Sequence, residues 1–269
     1  MCSGNEIQNP KWYELAVIIP VAPGDTAWAQ MVVDLKRLPL ESEIIFVCPE
    51  LPSSALKHLF DDLALNRDVR WLQAPKGRGR QLNAGVKASH KPYLWFVHAD
   101  SRFSEAALHT LELSLHHKPD AVHYFNLAFL DDGPSLTALN TVGVWIRSHI
   151  LGLPFGDQGF CLARKVFERL SGFREDVSYG EDHLFVWQAR TQKISWRCTG
   201  GLIQTSARKY QQYGWCATTL KHLTLTVKQA FPELLKFLKV CILALLPFHS
   251  LGRWDFSRTL KRAPKRGTK

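Results

Sequence analysis

A basic, glycine-rich stretch at positions 76–85, with the sequence KGRGRQLNAG, is the first candidate for binding chemistry. Glycines let the backbone approach an anion, and the N–H groups at a helix start point towards it. Lys76, Arg78 and Arg80 would neutralise its charge, and Asn83 lies on the same segment. The spacing matches neither a GxGxxG loop nor a Walker loop. Two interpretations stay open: an anion site, or a solvated basic turn.

An acidic residue follows the next apolar run, in the order His98-Ala99-Asp100. Oxygen ligands suit Mg²⁺ or Mn²⁺, so Asp100 could hold a cation that bridges two phosphates. The alternative is that Asp100 caps a turn and His98 packs or bonds to the backbone.

Three candidate carboxylates for the site lie in the second half of the chain. Ser178 and Glu181 have the spacing of a capping box, which leaves Asp182 in the first helical turn, free to accept a proton. Asp157 and Gln158 stand between two glycines and could bind a hydroxylated ligand or form a turn.

Further along, Arg208 and Lys209 precede Tyr210. This group could clamp a diphosphate, or it could be a basic loop with one packed tyrosine.

Alternating short apolar runs and amphipathic segments must position these residues. Strands are predicted at 16–20, 43–48, 69–72, 93–97 and 121–127, with helices near 26–38, 53–65, 79–89 and 104–117. This alternation predicts an α/β fold with a parallel sheet and ligands at the carboxyl ends of the strands. Beyond residue 134 we expect helices at 135–151, 164–171 and 181–192, strands at 160–163 and 194–198, and a helical region after Trp215.

Composition narrows the class of protein. The 269 residues are 46% hydrophobic and 22% charged, which is globular composition. Six cysteines without a CxxC pair favour a reducing compartment, so we expect a cytoplasmic protein. No apolar run reaches the roughly 20 residues of a spanning helix. The net charge is +10, of which residues 253–269 supply +6, so the excess charge indicates an anionic surface partner.

In this order, the motifs resemble those of family 2 glycosyltransferases of the GT-A fold. The resemblance is closest to a bacterial subgroup and covers about residues 15–230. Its strings here are GRGRQLNAG at 77–85, WFVHAD at 95–100 and PFGDQG at 154–159, followed by Gly172-Phe173, Glu181-Asp182 and SARKY at 206–210.

The resemblance implies a GT-A catalytic domain over 12–214; after it, the apolar spacing and the charge predict a helical extension over 215–252 and a basic, disordered tail over 253–269. It also implies transfer of a sugar from a nucleoside-diphosphate sugar to an unknown acceptor hydroxyl, with inversion, where the acceptor could be lipid-linked. Mg²⁺ or Mn²⁺ would be held by Asp100, alone or with His98. Asp182 would be the base, and Asp157, Gln158 and Glu181 would contact the acceptor or sugar. The donor site would be lined by Pro20, Val21, Lys76, Arg78, Arg80, Asn83, Asp100, Arg208 and Tyr210.

Three positions depart from the family pattern. Cys48-Pro49-Glu50-Leu51 replaces Asp-Asp-Gly-Ser, Ala22-Pro23 replaces Asn-Glu, and His98 replaces the first acid of the DxD motif. Two other functions stay open: a nucleotidyltransferase, which needs no base at Asp182, and a non-catalytic module that binds a membrane surface. Nucleic acid is not an expected partner because no nucleic-acid-binding motif is present.

The region after Trp215 predicts an amphipathic helix. Cys216, Leu220, Leu223, Val227 and Phe231 recur at helical spacing, with lysines beside them. Such a helix could rest on the inner face of a membrane, or pack on the catalytic domain or a second subunit.

Overall fold

The computed structural model describes residues 13–245. Eight strands form one sheet: β1 Leu15–Pro20, β2 Glu43–Cys48, β3 Asp68–Gln73, β4 Tyr93–Phe96, β5 Ser101–Phe103, β6 Val122–Phe129, β7 Phe160–Ala163 and β8 Trp196–Thr205. The helices are α1 Trp28–Leu35, α2 Lys57–Ala64, α3 Arg78–Lys87, α4 Glu105–His117, α5 Thr137–Trp145, α6 Arg164–Arg169, α7 Glu181–Thr191, α8 Arg208–Tyr213 and α9 Trp215–Leu245. A π-helical segment, Ile146–Ile150, continues α5, and short 3₁₀ turns occupy Ser54–Leu56 and Gly156–Gln158.

The strand order is β3-β2-β1-β4-β7-β6-β8-β5. The first half of the chain supplies parallel neighbours, β3-β2-β1-β4, and β6 and β8 are also parallel. β7 runs antiparallel to both β4 and β6, and β5 runs antiparallel to β8. The predicted fold class, a mostly parallel sheet flanked by helices and followed by a C-terminal helix, is therefore confirmed.

Burial explains why the central strands form. Every residue of β1 before Pro20, and all four residues of β4, are buried, as expected for strands covered on both faces by helices. α3 lies close against β1 because Gly85 has no side chain. A Cβ at Gly85 would lie 2.5 Å from the Cγ2 of Ile18.

Some predicted bounds were wrong. The strand expected at 194–198 begins at Trp196 and continues to Thr205, while β5 and α8 were not predicted at all. β5 is only three residues long and is formed by pairing with the distant β8, which no local pattern indicates. The predicted basic tail at 253–269 lies outside the described residues.

The capping box predicted at Ser178 is wrong. Gly180 has a φ of +78°, a left-handed conformation, and α7 begins only at Glu181, without a side-chain cap. Glu181 is therefore the first residue of the helix, and its side chain points to Arg78 instead of back to the helix start.

Candidate active site

Arg78 lies at the centre of the candidate site, at the first residue of α3. Its Nε is 2.9 Å from Oε1 of Glu181, and its Nη2 is 3.7 Å from Oδ2 of Asp182. The same guanidinium contacts Nε2 of His98. The helix start thus presents a cation to both carboxylates of α7, instead of leaving it exposed as a simple basic turn would.

Asp182 is held as a carboxylate. Oδ2 accepts a hydrogen bond from the N–H of Gly156 at 2.7 Å, and Oδ1 accepts one from the N–H of His183 at 2.8 Å. Burial alone would raise the pKa of Asp182, but Arg78 and these two N–H groups outweigh it, so the pKa lies below its usual value. The group is ionised at neutral pH, as a proton acceptor must be.

Glu181 has the opposite shift. Burial raises its pKa, and the neighbouring charge of Asp182 raises it further, against the lowering effect of Arg78. Two adjacent carboxylates with pKa values pushed apart are a common arrangement in acid–base sites.

Asp100 lies beyond the end of β4, beside two cations. The Thr205 hydroxyl is 3.5 Å from its Oδ1. Burial raises the pKa of Asp100, while Lys209 and Arg208 counteract that effect. The structure therefore brings Asp100 together with the basic group after β8.

His98 is neutral. Burial lowers its pKa well below 6.5, and the charge of Arg78 lowers it further. Because its Nε2 faces Arg78, that nitrogen is not available to a metal ion. Within residues 13–245, no group of three or more His, Cys, Asp or Glu side chains is arranged to hold a metal. The carboxylate oxygens of Asp100 fit Mg²⁺ or Mn²⁺ chemically, and the metal role of Asp100 stays a prediction.

Two further residues were missed by sequence reasoning. Arg147, on the π-helical segment, lies over the ring of Phe155, 3.4 Å from its centroid, with Nη2 3.9 Å from Oδ1 of Asp157. Asp25 forms an ion pair with Arg208, in which Oδ1 of Asp25 lies 3.3 Å from Nη2 of Arg208. Asp25 follows the end of β1, and this position after a strand is the sequence signal that could have indicated it. No sequence signal indicated Arg147.

Asp157 lies beside Arg147 and near Asp182, and the side chain of Gln158 holds the loop that carries it. Burial raises the pKa of Asp157, with Arg147 opposing and Asp182 adding to the rise. Gln158 is fully buried; its Nε2 donates to the Phe125 carbonyl at 3.0 Å and its Oε1 accepts from the Phe155 N–H at 3.2 Å. Its amide therefore fixes the loop and does not face a ligand.

Asn83 also has a supporting position. Its Oδ1 accepts from the N–H of Phe173 at 3.0 Å, and its Nδ2 donates to the Phe173 carbonyl and to Glu175, each at 2.8 Å. These bonds fasten the loop before α7 to α3. The structure does not bring Asn83 into the cavity beside Arg78.

The remaining residues predicted for the donor site divide into those that are buried or line the cavity and those that are exposed. Pro20, at the end of β1, lines the same cavity as Arg78, His98 and Asp182. Val21 is buried, and its carbonyl accepts from Gln81 at 2.8 Å. Tyr210 is buried with its hydroxyl 3.3 Å from Nδ1 of His222.

Lys76 and Arg80 are exposed, as is Arg208. The cavity itself is small, about 10 Å³, which is room for about one water molecule.

Solved structures share this fold. No protein-family model matches the sequence, and no curated protein matches it. The crystal structure of S. aureus TarS superposes with a TM-score of 0.57 at 15% identity, over 74% of this chain and 38% of TarS. The structure of TarS 1–349 in complex with UDP-GlcNAc gives a TM-score of 0.55 at 14% identity, over 71% of this chain and 58% of that one.

The mannosyltransferase PcManGT from Pyrobaculum calidifontis, in complex with GDP-Man and Mn²⁺, gives a TM-score of 0.55 at 15% identity. The match covers 84% of this chain and 67% of that one. This chain thus spans well under two thirds of the length of TarS. At these identities the likeness establishes the fold alone, a mixed α/β sheet flanked by helices that these glycosyltransferase structures share.

Proposed function

We propose that this protein transfers a sugar from a nucleoside-diphosphate sugar to an acceptor hydroxyl, with inversion, as a family 2-like glycosyltransferase of hexosyl or related groups. The observation that carries the proposal is the ionised Asp182, held by Arg78 and the Gly156 N–H in a cavity that Pro20 and His98 also line. The fold supports it, since neighbours of the same fold were solved with UDP-GlcNAc and with GDP-Man.

The diphosphate would lie beside Asp100, where Arg208 and Lys209 offset its charge. A bound Mg²⁺ or Mn²⁺ would be held by Asp100 and would stabilise the negative charge on the leaving diphosphate. Since the cavity beside Asp182 has room for only about one water, the sugar would lie at its mouth, next to Asp157.

The reaction breaks the bond between the anomeric carbon and the diphosphate oxygen, which keeps the electron pair. The acceptor oxygen forms a new bond to that carbon from the opposite face, and its proton passes to the Asp182 carboxylate. No covalent sugar–enzyme step is needed, so a single base suffices.

Incubation with UDP- and GDP-sugars, with and without Mn²⁺, tests the proposal. Slow hydrolysis that releases nucleoside diphosphate supports a glycosyltransferase. Release of pyrophosphate from a nucleoside triphosphate and a sugar phosphate would instead indicate a nucleotidyltransferase, and no turnover of either kind would favour a non-catalytic module. The lipid-linked acceptor and the cytoplasmic location stay predictions.

A further inference from the structure

The long C-terminal helix α9 has an apolar face turned away from the rest of the molecule. Eight large apolar side chains on this helix are between 41% and 65% exposed. They are Leu220, Leu223, Val227, Phe231, Leu234, Leu235, Leu238 and Ile242. Spacings of three and four residues place them along one side of the helix, which we call the apolar stripe. The stripe runs for about 33 Å, at 1.5 Å per residue.

The opposite side of α9 makes the contacts with the body. His222 meets the Tyr210 hydroxyl, Phe237 packs against Trp187 with ring centroids 6.0 Å apart, and a Cβ at Gly180 would overlap the amide of Gln229. Near its start, Thr219 bonds to Asn140 of α5 at 3.1 Å. The helix is therefore fixed in rotation, and its apolar stripe is exposed because the other side is already packed.

α5 and the π-helical segment add a second exposed apolar set next to α9. Leu139, Val142, Trp145 and Ile150 are between 50% and 66% exposed. An apolar surface of this extent usually marks an interaction site.

The charges beside the stripe indicate the occupant. Lys221, Lys228 and Lys239 each follow a stripe residue by one position, so all three lie along the same edge. No ion pair joins them to a carboxylate in the part of the chain that the structure describes. A lysine row beside an apolar face allows the stems to cover apolar surface while the ammonium groups meet anionic headgroups.

A second copy of the helix fits these charges less well. Glu233 is the sole carboxylate of α9, and it is already paired with Lys236 at 2.6 Å. An antiparallel two-fold pair would place both lysine rows along one edge, with like charges adjacent. In residues 13–245, no helix is long and apolar enough to cross a membrane.

We propose that the apolar stripe of α9 docks on an anionic lipid surface, with the helix lying in the plane of the headgroups. This inference goes beyond sugar transfer and does not depend on it, because lipid binding needs no turnover. Since α9 also contacts Tyr210 and Gly180, docking would hold the candidate active site close to the bilayer.

Flotation of the full-length protein tests the proposal. Vesicles of phosphatidylcholine with phosphatidylglycerol should carry the protein upward, and vesicles of phosphatidylcholine alone should carry much less. The combined variant Leu223→Ser, Val227→Ser and Phe231→Ser should reduce partitioning at least about tenfold. A matched control, Leu40→Ser, Leu51→Ser and Leu65→Ser, removes equally exposed side chains elsewhere and should float like the wild type.

A second variant tests the proposal even if the triple serine variant fails to fold. Lys221→Glu, Lys228→Glu and Lys239→Glu should abolish the preference for phosphatidylglycerol while leaving the melting temperature unchanged. The proposal is overturned if the wild type does not float, or if the serine variant floats as well as the control. It is also overturned if light scattering shows a dimer that only the stripe variant dissociates, since the occupant is then a second copy.

Discussion

Nε of Arg78 lies 2.9 Å from Oε1 of Glu181, and this ion pair joins the start of α3 to the start of α7. Glu181 is 5% exposed, so its charge depends on that partner. The pair also explains His98, because an acid at that position would add a third carboxylate beside one guanidinium. A neutral histidine contacts Arg78 without adding negative charge.

The close approach of α3 to the loop before α7 predicts a backbone effect at Gly79. A Cβ there would overlap the carbonyl oxygen of Arg174. We expect Gly79→Ala to lower the free energy of unfolding by about 1–3 kcal/mol, since a backbone atom cannot rotate away. Urea unfolding would measure the change.

Gly143→Ala is the matched control, because Gly143 lies in α5 and the place where its Cβ would lie is open space. There the same substitution should raise the free energy of unfolding by about 0.5–1 kcal/mol through helix propensity. Equal effects of the two alanines would show that the overlap at Gly79 is relieved by movement of the loop.

His123 predicts a pH dependence of stability away from the site. It is fully buried, with Nε2 2.9 Å from the Lys118 carbonyl and Nδ1 2.8 Å from the Ser114 hydroxyl. Burial lowers its pKa from 6.5 to about 4. As pH falls from 6.5 to 4, the unfolded chain binds a proton at this ring while the folded chain does not. The stability that the neutral His123 contributes is therefore fully present above pH 6.5 and is lost as pH falls towards 4.

The loss would reach about 3 kcal/mol. Thermal melts of the wild type and His123→Gln across this range should converge as pH falls, because the variant lacks the titrating ring. Parallel curves would contradict the shift.

The fold could largely be predicted from the sequence, because strands buried on both faces leave continuous apolar runs. The expected strand at 43–48 matches β2, and that at 160–163 matches β7. The short β5 could not be predicted, since its three residues form a strand only by pairing with β8. Non-local pairing has no local sequence signal.

The site was predictable in its residue types but not in their roles. The order of the motifs indicated Arg78, Asp100 and Asp182; the structure places Arg78 and Asp182 in one cavity, and the charge of Asp100 acts on the neighbouring Asp157. The conformation of Gly180 reversed the interpretation of Glu181, because α7 begins after this left-handed glycine, two residues later than an N-cap at Ser178 would start it. Arg147 and Asp157 both lie in the connection between β6 and β7, and only the irregular path of that connection places their side chains together.

Asp100 predicts metal-dependent nucleotide binding. Asp100→Ala should abolish the part of UDP or GDP binding that needs Mn²⁺, because the variant removes the carboxylate that would contact the cation. Binding without Mn²⁺ should persist, since Arg208 and Lys209 remain. Calorimetry with and without Mn²⁺ measures both parts.

Asp120→Ala is the control, since Asp120 forms an exposed ion pair with Lys165. Both variants need melting curves close to the wild type. Mn²⁺-dependent binding that survives in Asp100→Ala would remove this residue from the metal site.

Asp182 should be the general base, and Asp182→Asn tests the role with little change of shape. The amide oxygen can still accept the Gly156 N–H, so the loop keeps its position. General-base catalysis contributes about 10²–10⁴-fold, and we expect transfer to fall by that factor. Donor affinity should hold, because the proposed position of the diphosphate is beside Asp100 and not beside Asp182.

Glu181→Gln separates a proton acceptor from a charge partner, because it removes the neighbouring carboxylate and keeps its size. Glu181 balances Arg78, whose side chain is 36% exposed and therefore partly screened by water. We expect a loss of about 1–2 kcal/mol in unfolding free energy. The transfer rate should fall less than about tenfold, since the proton still goes to Asp182. A larger rate loss in Glu181→Gln than in Asp182→Asn, at equal donor affinity, would assign the base to Glu181, whose raised pKa makes it the stronger acceptor once ionised.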